Sequence, residues 1–344
     1  MAAVQKSVSE NAIKLKSLSS RRINTMPEVL PILYLGPTSG IAAVTTTLGS
    51  GFQVLSPATT PDAVLPLLPQ VHAILDASMK VPLRQADLDS AVHLKLIATA
   101  TTGADHIDSK ALAARNIPLL TLKGQKQVLN ELTPAAELSW MLLMACARHL
   151  RAANRHVEAG KWDRELFPGM LLKGRTLGLI GCGRIGGWMA RYAAAFGMRV
   201  IGHDPHLPEA EWPATIERTD LDTLLQNAHA VSIHVHLSDE TRSLVGPREF
   251  ALLRPGAILI NTSRGAICDE DALLQALESQ HLGGYGTDVL EGEPAIQNSR
   301  VWQYAQTHDN CLITPHIGGF SPDAVDIVLK FAAGRIRDFF APQA

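Results

Sequence analysis

The chain predicts an α/β fold in two units, and three observations carry that expectation. Its 344 residues span about two domains by the usual size of a single core. From Ile32 onward, short apolar runs alternate with helix-like stretches, the pattern of parallel strands covered by helices. In the second half a glycine-rich turn, Gly181-Cys-Gly183-Arg-Ile-Gly186, joins one such run to a helical stretch.

The elements follow in order. Ile32-Leu-Tyr-Leu-Gly36 is an apolar run closed by Gly-Pro, which reads as a buried strand. Similar runs come at Phe52 to Leu55, Ala73 to Leu75, Leu96 to Thr99 and Pro118 to Leu120, with a helix expected over Ser109 to Arg115. A long amphipathic segment from about Pro134 to Glu158 leads to the second unit, whose first strand is Thr176-Leu-Gly-Leu-Ile180. A helix over Gly187 to Phe196 and a strand over Arg199 to Gly202 come next. No repeat of solenoid period is present.

Composition narrows the function classes. Hydrophobic residues make up 46% and charged ones 19%, ordinary globular usage that argues against global disorder. A formal net charge of -2 gives no steering toward nucleic acid or an anionic membrane. The most apolar stretch, Leu138 to Ala147, follows Glu137 and contains Ser139, so no membrane span is expected. Cys146, Cys182, Cys268 and Cys311 form no CxxC pair, which fits reduced thiols in a cytoplasmic protein better than disulfides or a zinc site; no metal is expected. Residues 1–29 are basic and serine-rich, with Lys6, Lys14, Lys16, Arg21 and Arg22 against Glu10 and Glu28. They read either as an organelle-targeting peptide or as a disordered extension with Met26 available as another initiator.

The glycine turn has a specific physical reading. Gly181 and Gly183 permit a tight turn and close approach of backbone to a pyrophosphate, while Gly186 lets helix pack on strand. Phosphates would sit over the helix N-terminus, where free amides and the dipole favour negative charge. Asp204 follows the next strand at roughly the 20-residue spacing at which an acid meets the adenosine ribose. Its charge would repel the extra phosphate of NADP, and no arginine stands in His203-Asp-Pro-His206, so NAD is the expected cofactor. The competing reading makes Asp204 a turn residue before Pro205.

Behind this Rossmann-type fingerprint come Asn261-Thr-Ser-Arg-Gly265, Asp288-Val-Leu-Glu-Gly-Glu-Pro294 and Thr314-Pro-His-Ile-Gly-Gly319. They supply Arg264, Glu293 and His316. An arginine can clamp a carboxylate with a two-pronged fork, a histidine can move a proton near neutral pH, and a glutamate can orient that histidine. Taken singly, each has a plainer reading as a surface ion-pair partner, a solvated turn or a loop residue. Taken in this order they point to hydride transfer. His234 and His236, alternating on a strand, would face one side and suggest a metal pair, but no third ligand is apparent and packing beside the cofactor is the preferred reading. Trp162 and the Lys161 to Arg164 stretch read as a surface loop, with a contribution to the cleft or a subunit contact as the alternative.

Together with Thr102-Gly-Ala-Asp-His-Ile-Asp108, these motifs resemble the D-isomer-specific 2-hydroxyacid dehydrogenase family, from about Ile32 to the C-terminus. The resemblance implies a smaller, flavodoxin-like substrate domain built from residues 30–130 and 320–344, including a last helix near Asp323 to Phe340. It implies an NAD-binding domain over 131–319, a cleft that closes on cofactor and substrate, and a homodimer. It makes Arg264 the holder of the substrate carboxylate, with the backbone amides of Thr102 and Gly103 receiving the same group, and His316 with Glu293 the acid–base pair. Arg184 and Ile185 would lie over the pyrophosphate, and Val235, His236 and Thr241 would line the adenosine and ribose. Thr133, Thr262, Asp288, Gly318 and Gly319 would flank the nicotinamide. The reaction implied is interconversion of a 2-oxo acid and a D-2-hydroxy acid. The alternatives are an NAD-sensing, non-enzymatic corepressor-like protein and a same-fold oxidoreductase acting on phosphite or formate. Two departures stand out: His236 replaces a proline usual in the family, and the loop Lys123 to Leu129 lacks the usual proline-containing turn, its Lys123 and Lys126 being either solvated or facing an anion.

Overall fold

The computed structural model describes residues 29–341; apart from Val29, the extension expected over residues 1–29 lies outside the described residues. The chain divides into two compact units, one taking it up to Thr121 and again from Leu329, the other comprising Leu122–Val328. The division falls nine residues before the 130/131 junction expected from the sequence and nine after the 319/320 junction.

The first unit holds a five-stranded parallel sheet of β1 (Leu30–Leu35), β2 (Phe52–Leu55), β3 (Ala73–Asp76), β4 (Leu96–Thr99) and β5 (Leu119–Leu120), in the order β2-β1-β3-β4-β5. That order is the doubly wound, flavodoxin-like one. Every residue of β3 and β4 is buried, which is why these segments read as unbroken apolar runs rather than alternating ones. Leu33, Leu35, Ile74 and Ile97 pack with Leu68, Leu88 and Leu112 from the flanking helical segments. The Ser109–Ala114 helix starts where Asp108 caps it, its carboxylate accepting the Ala111 amide at 3.0 Å.

The second unit carries seven parallel strands: β6 (Thr176–Ile180), β7 (Arg199–His203), β8 (Glu217–Arg218), β9 (Ala230–Ile233), β10 (Ala257–Asn261), β11 (Leu282–Thr287) and β12 (Cys311–Ile313). Their order, β12-β11-β10-β9-β6-β7-β8, reverses direction between β6 and β9. That switch point is where an open α/β sheet takes its ligand, beyond the carboxyl ends of the strands. Two clusters build the core, one around Leu224, Ile233, Leu259 and Leu277, the other around Leu142, Leu179, Met189 and Ile260.

Two expectations are corrected. The stretch Pro134 to Glu158 is two helices, Pro134–Ala147 and Leu150–Glu158, broken where His149 adopts φ 50° in the left-handed region. The first of them buries Ala136, Ser139, Leu142, Leu143 and Ala145 and is therefore not a one-sided surface helix; the second has no buried residue. His234 and His236 do not lie on a strand: β9 ends at Ile233, its last partner on β6 being Ile180, and both histidines follow in the loop. Among the described residues no helix is long and apolar enough to cross a membrane.

Candidate active site

The glycine turn begins where β6 ends. Gly181 takes φ 92°, and a Cβ there would stand 2.5 Å from the carbonyl oxygen of His234. A Cβ on Gly186 would stand 2.3 Å from the carbonyl oxygen of Gly181, so helix and turn touch backbone to backbone. Gly183 differs: it precedes the Arg184–Ala195 helix, and a Cβ there would meet nothing within 4 Å. The unfilled space over a helix N-terminus is where a diphosphate fits. Beside it lies a cavity of about 750 Å³ lined by Thr133, Gly183, Arg184, Gly187, Trp188 and Arg191 among others. Arg184 is held by donating to the Leu132 carbonyl, and Thr133 donates to Glu137. Ile185, next on the helix, packs against the core beneath the turn.

Asp204 follows β7 and ties two turns together. One carboxylate oxygen accepts the Cys182 amide at 3.0 Å, and the other accepts the amides of His206 and Leu207, each at 3.1 Å. A carboxylate has about four acceptor positions, so it retains capacity for ribose hydroxyls while shaping the turn. Both readings of Asp204 are thus compatible with its geometry. The residues present fit NAD.

In the loop after β9, Val235 packs against the core and the Thr241 hydroxyl donates to the His236 carbonyl at 2.6 Å. Among the described residues neither buried ring nitrogen of His234 has a partner, and desolvation pulls its pKa down to about 3. Among the described residues no group of three or more His, Cys, Asp or Glu side chains is placed to hold a metal ion. Lys126 is paired with Glu211 at 2.8 Å.

Arg264, Asp288 and His316 follow the carboxyl ends of three neighbouring strands, β10, β11 and β12. Beyond β10, Asn261 shapes the turn by accepting the Ser263 amide at 3.0 Å and donating to the Arg264 carbonyl at 2.9 Å, while Ser263 donates to the Ile233 carbonyl at 2.9 Å. Arg264 is half-buried and donates from Nη1 to the Ser263 carbonyl at 2.8 Å. The Thr262 hydroxyl meets that of Ser139 at 2.7 Å.

Beyond β11, the Asp288 side chain is 1% exposed and accepts three bonds from the histidine loop: the Thr314 hydroxyl at 2.6 Å and the amides of Ile317 and Gly318 at 2.9 and 2.7 Å. Burial raises its pKa and these donors oppose that rise. The fastening holds His316 at φ 54°, a strained conformation for a residue with a Cβ. His316 Nδ1 lies 2.7 Å from Glu293 Oε1, and among the described residues Nε2 has no hydrogen-bond partner. A carboxylate on the far nitrogen fixes the ring's orientation and leaves Nε2 as the nitrogen open to another group. Gly318 and Gly319 follow directly in the fastened turn.

The structure therefore brings His316, Glu293 and Asp288 together and sets Arg264 two strands away on the same sheet edge. Thr102 and Gly103 belong to the other unit, in the loop after β4. Sequence reasoning assigned no part to Asn261, Ser139 or Thr314, whose side chains bond to the backbone or side chains carrying the candidate residues. Asparagine at a strand end was the one local signal available.

Comparison with known proteins completes the picture. Residues 140–318 match the family model described as D-isomer specific 2-hydroxyacid dehydrogenase, NAD binding domain, and residues 44–128 match the catalytic domain of the same family. The chain is 36% identical over 265 residues to a hydroxypyruvate reductase of Thermotoga maritima, covering 76% of this chain and 83% of the relative. It is 37% identical over 260 residues to a glyoxylate reductase of Thermococcus litoralis, covering 73% and 76%. Among solved structures, D-lactate dehydrogenase from Aquifex aeolicus complexed with NAD and lactic acid superposes with a TM-score of 0.78 at 25% identity, over 90% of this chain and 95% of that one. With both family domains matched in order on the two kinds of sheet described above, this chain belongs to the D-isomer specific 2-hydroxyacid dehydrogenase family.

Proposed function

We propose that the protein interconverts a small 2-oxo acid and the corresponding D-2-hydroxy acid, with His316 and Glu293 as the acid–base pair and Arg264 binding the substrate carboxylate. The observation that carries this reading is the 2.7 Å bond from His316 Nδ1 to Glu293, which leaves Nε2 as the working nitrogen. In the reducing direction protonated His316 delivers a proton to the carbonyl oxygen of the 2-oxo acid; in the oxidising direction neutral His316 takes the hydroxyl proton. Arg264 positions the acid through its carboxylate and stabilises charge growing on the neighbouring oxygen. NAD, when bound, takes up or supplies the hydride.

Gly181, Gly183, Gly186, Arg184 and Ile185 would hold the diphosphate, and Asp204, Val235, His236 and Thr241 the adenosine half. Thr133, Thr262, Asp288 and the Gly318-Gly319 turn would hold the nicotinamide half, Asp288 by fastening the turn rather than by an open carboxylate. In the first unit, the Thr102 and Gly103 amides are assigned to carboxylate binding, which makes that unit the substrate domain. The two reductase relatives put glyoxylate and hydroxypyruvate first among substrates. We also assign a homodimer, supported by large apolar side chains left exposed along one stretch, Leu150, Val157, Trp162, Leu166 and Leu171. The four free cysteines suit a reducing compartment such as the cytoplasm.

The test is the loss of NADH absorbance with a panel of 2-oxo acids, run beside NAD with phosphite and formate. Glyoxylate or hydroxypyruvate should be reduced, and Arg264→Ala and His316→Ala should each lower turnover about 10²-fold or more while the fold survives. Wild-type protein that binds NADH but reduces nothing in the panel would favour a sensing role. Near-normal rates in both variants would refute the residue assignment.

A further inference from the structure

A buried acid and histidine in the first unit remain unused by the reaction as described. Asp76 is the last residue of the central strand β3, and its side chain is 1% exposed. One of its carboxylate oxygens lies 2.5 Å from His106 Nε2; the His106 side chain is 9% exposed. The other accepts the Ser78 amide at 2.7 Å, the Ser78 hydroxyl at 2.9 Å and the Met79 amide at 3.3 Å. The Asp76 backbone carbonyl accepts the Ala100 amide at 2.8 Å. A single residue thus pins both ends of the loop that leaves β4, by its carbonyl at Ala100 and by its carboxylate at His106.

Between those two pins lie Thr102 and Gly103. The Thr99 hydroxyl donates to the Thr101 carbonyl at 3.0 Å, and the Thr101 hydroxyl donates to the Gly103 carbonyl at 2.7 Å. The carbonyls are engaged by the loop's own threonines, whereas among the described residues the amides of Thr102 and Gly103 donate to no acceptor. Consecutive unpaired amides form a concavity suited to an anion. Burying an acid and a histidine is expensive compared with an apolar pair of similar volume, so the pair is better explained by the geometry it imposes than by stability. His106 Nδ1, buried and without a partner among the described residues, shows that the site is not optimised for hydrogen bonding alone.

We propose that Asp76 and His106 are positioning residues that hold the Thr102–Gly103 amides in the arrangement that receives the substrate carboxylate. The inference rests on the function proposed above, because it takes the ligand of those amides to be the carboxylate of a 2-oxo acid. It adds that substrate affinity depends on a bond between two side chains which touch neither substrate nor cofactor.

The experiment compares wild type, His106→Phe, His106→Gln and Asp76→Asn in steady-state kinetics with glyoxylate and hydroxypyruvate, and in NADH binding followed by fluorescence. His106→Phe keeps the ring's bulk and removes the bond; it should raise the substrate KM about tenfold or more, with kcat within about threefold of wild type. NADH affinity should not change. His106→Gln, which can still donate to Asp76, should recover most of the lost affinity, a rescue that a purely structural role would not produce. A folded His106→Phe protein with wild-type KM, or one losing kcat, KM and NADH affinity together, overturns the inference alone. Should His106→Phe not fold, Asp76→Asn carries the same expectation: a raised KM supports the inference and a wild-type KM overturns it. Wild-type protein that turns over no 2-oxo acid overturns the proposed function, and this inference with it.

Discussion

His234 lies directly behind the glycine turn with both ring nitrogens covered, and its pKa falls from 6.5 to about 3 because a charge there would have to leave water. A lowered histidine pKa makes the folded state disfavour the proton that the unfolded state accepts. The associated stability is therefore fully present above about pH 6.5 and is lost as the pH falls from 6.5 toward 3, by up to about 1.4 kcal/mol per pH unit. His234→Leu removes the titration and should flatten this fall. Urea unfolding at pH 7, 6, 5 and 4 reads the difference; parallel curves for the two proteins would contradict it. The pairing of His316 with Glu293 was legible in the sequence, where glycine or proline stands beside each residue. His234 carried no such announcement, since burial of an individual ring depends on what the fold places over it. Asp76 and His106 were equally silent, standing 30 positions apart with nothing local to link them.

The glycine turn shows how one element separates folding from binding. Ala at position 181 would force a side chain onto φ 92° and against the His234 carbonyl, so Gly181→Ala should cost about 2 kcal/mol or more of stability. At Gly183 the added methyl meets no protein atom within 4 Å. Gly183→Ala should therefore melt within a few degrees of wild type while weakening NADH at least about tenfold, because the methyl occupies the space proposed for the diphosphate. Thermal melts and NADH titrations on both variants check the pair; wild-type NADH affinity in Gly183→Ala would show that the diphosphate does not lie there. Strand β4 was legible to the residue because a buried parallel strand is an apolar run with punctuation at its ends. The break at His149 was not, since neither glycine nor proline marks it and packing of the preceding helix decides where it stops. Nor was the end of β9, where the ladder to β6 ceases although the sequence continues to alternate.

Across the whole molecule, alternation and length made the α/β class readable, and the family's motifs supplied the return of the chain to the first unit after Val328. No spacing rule could have shown that return, because contacts between distant segments leave no mark on local pattern. The homodimer is a prediction at this scale. Light scattering on the purified protein should give the mass of two chains at micromolar concentration, and Trp162→Asp, at a side chain 84% exposed in the single chain, should shift it toward one. A wild-type mass of one chain would contradict the assignment.

Cys146, Cys182, Cys268 and Cys311 are all free, and burial pushes each thiol's pKa up to about 12. At neutral pH almost none of the sulfur is thiolate, the form that alkylating reagents attack. All four lie between Leu122 and Val328, spread from the helix before β6 to β12. The folded protein should accordingly react slowly with iodoacetamide, so that the rate at which label accumulates would serve as a built-in clock for how often that interior breathes open.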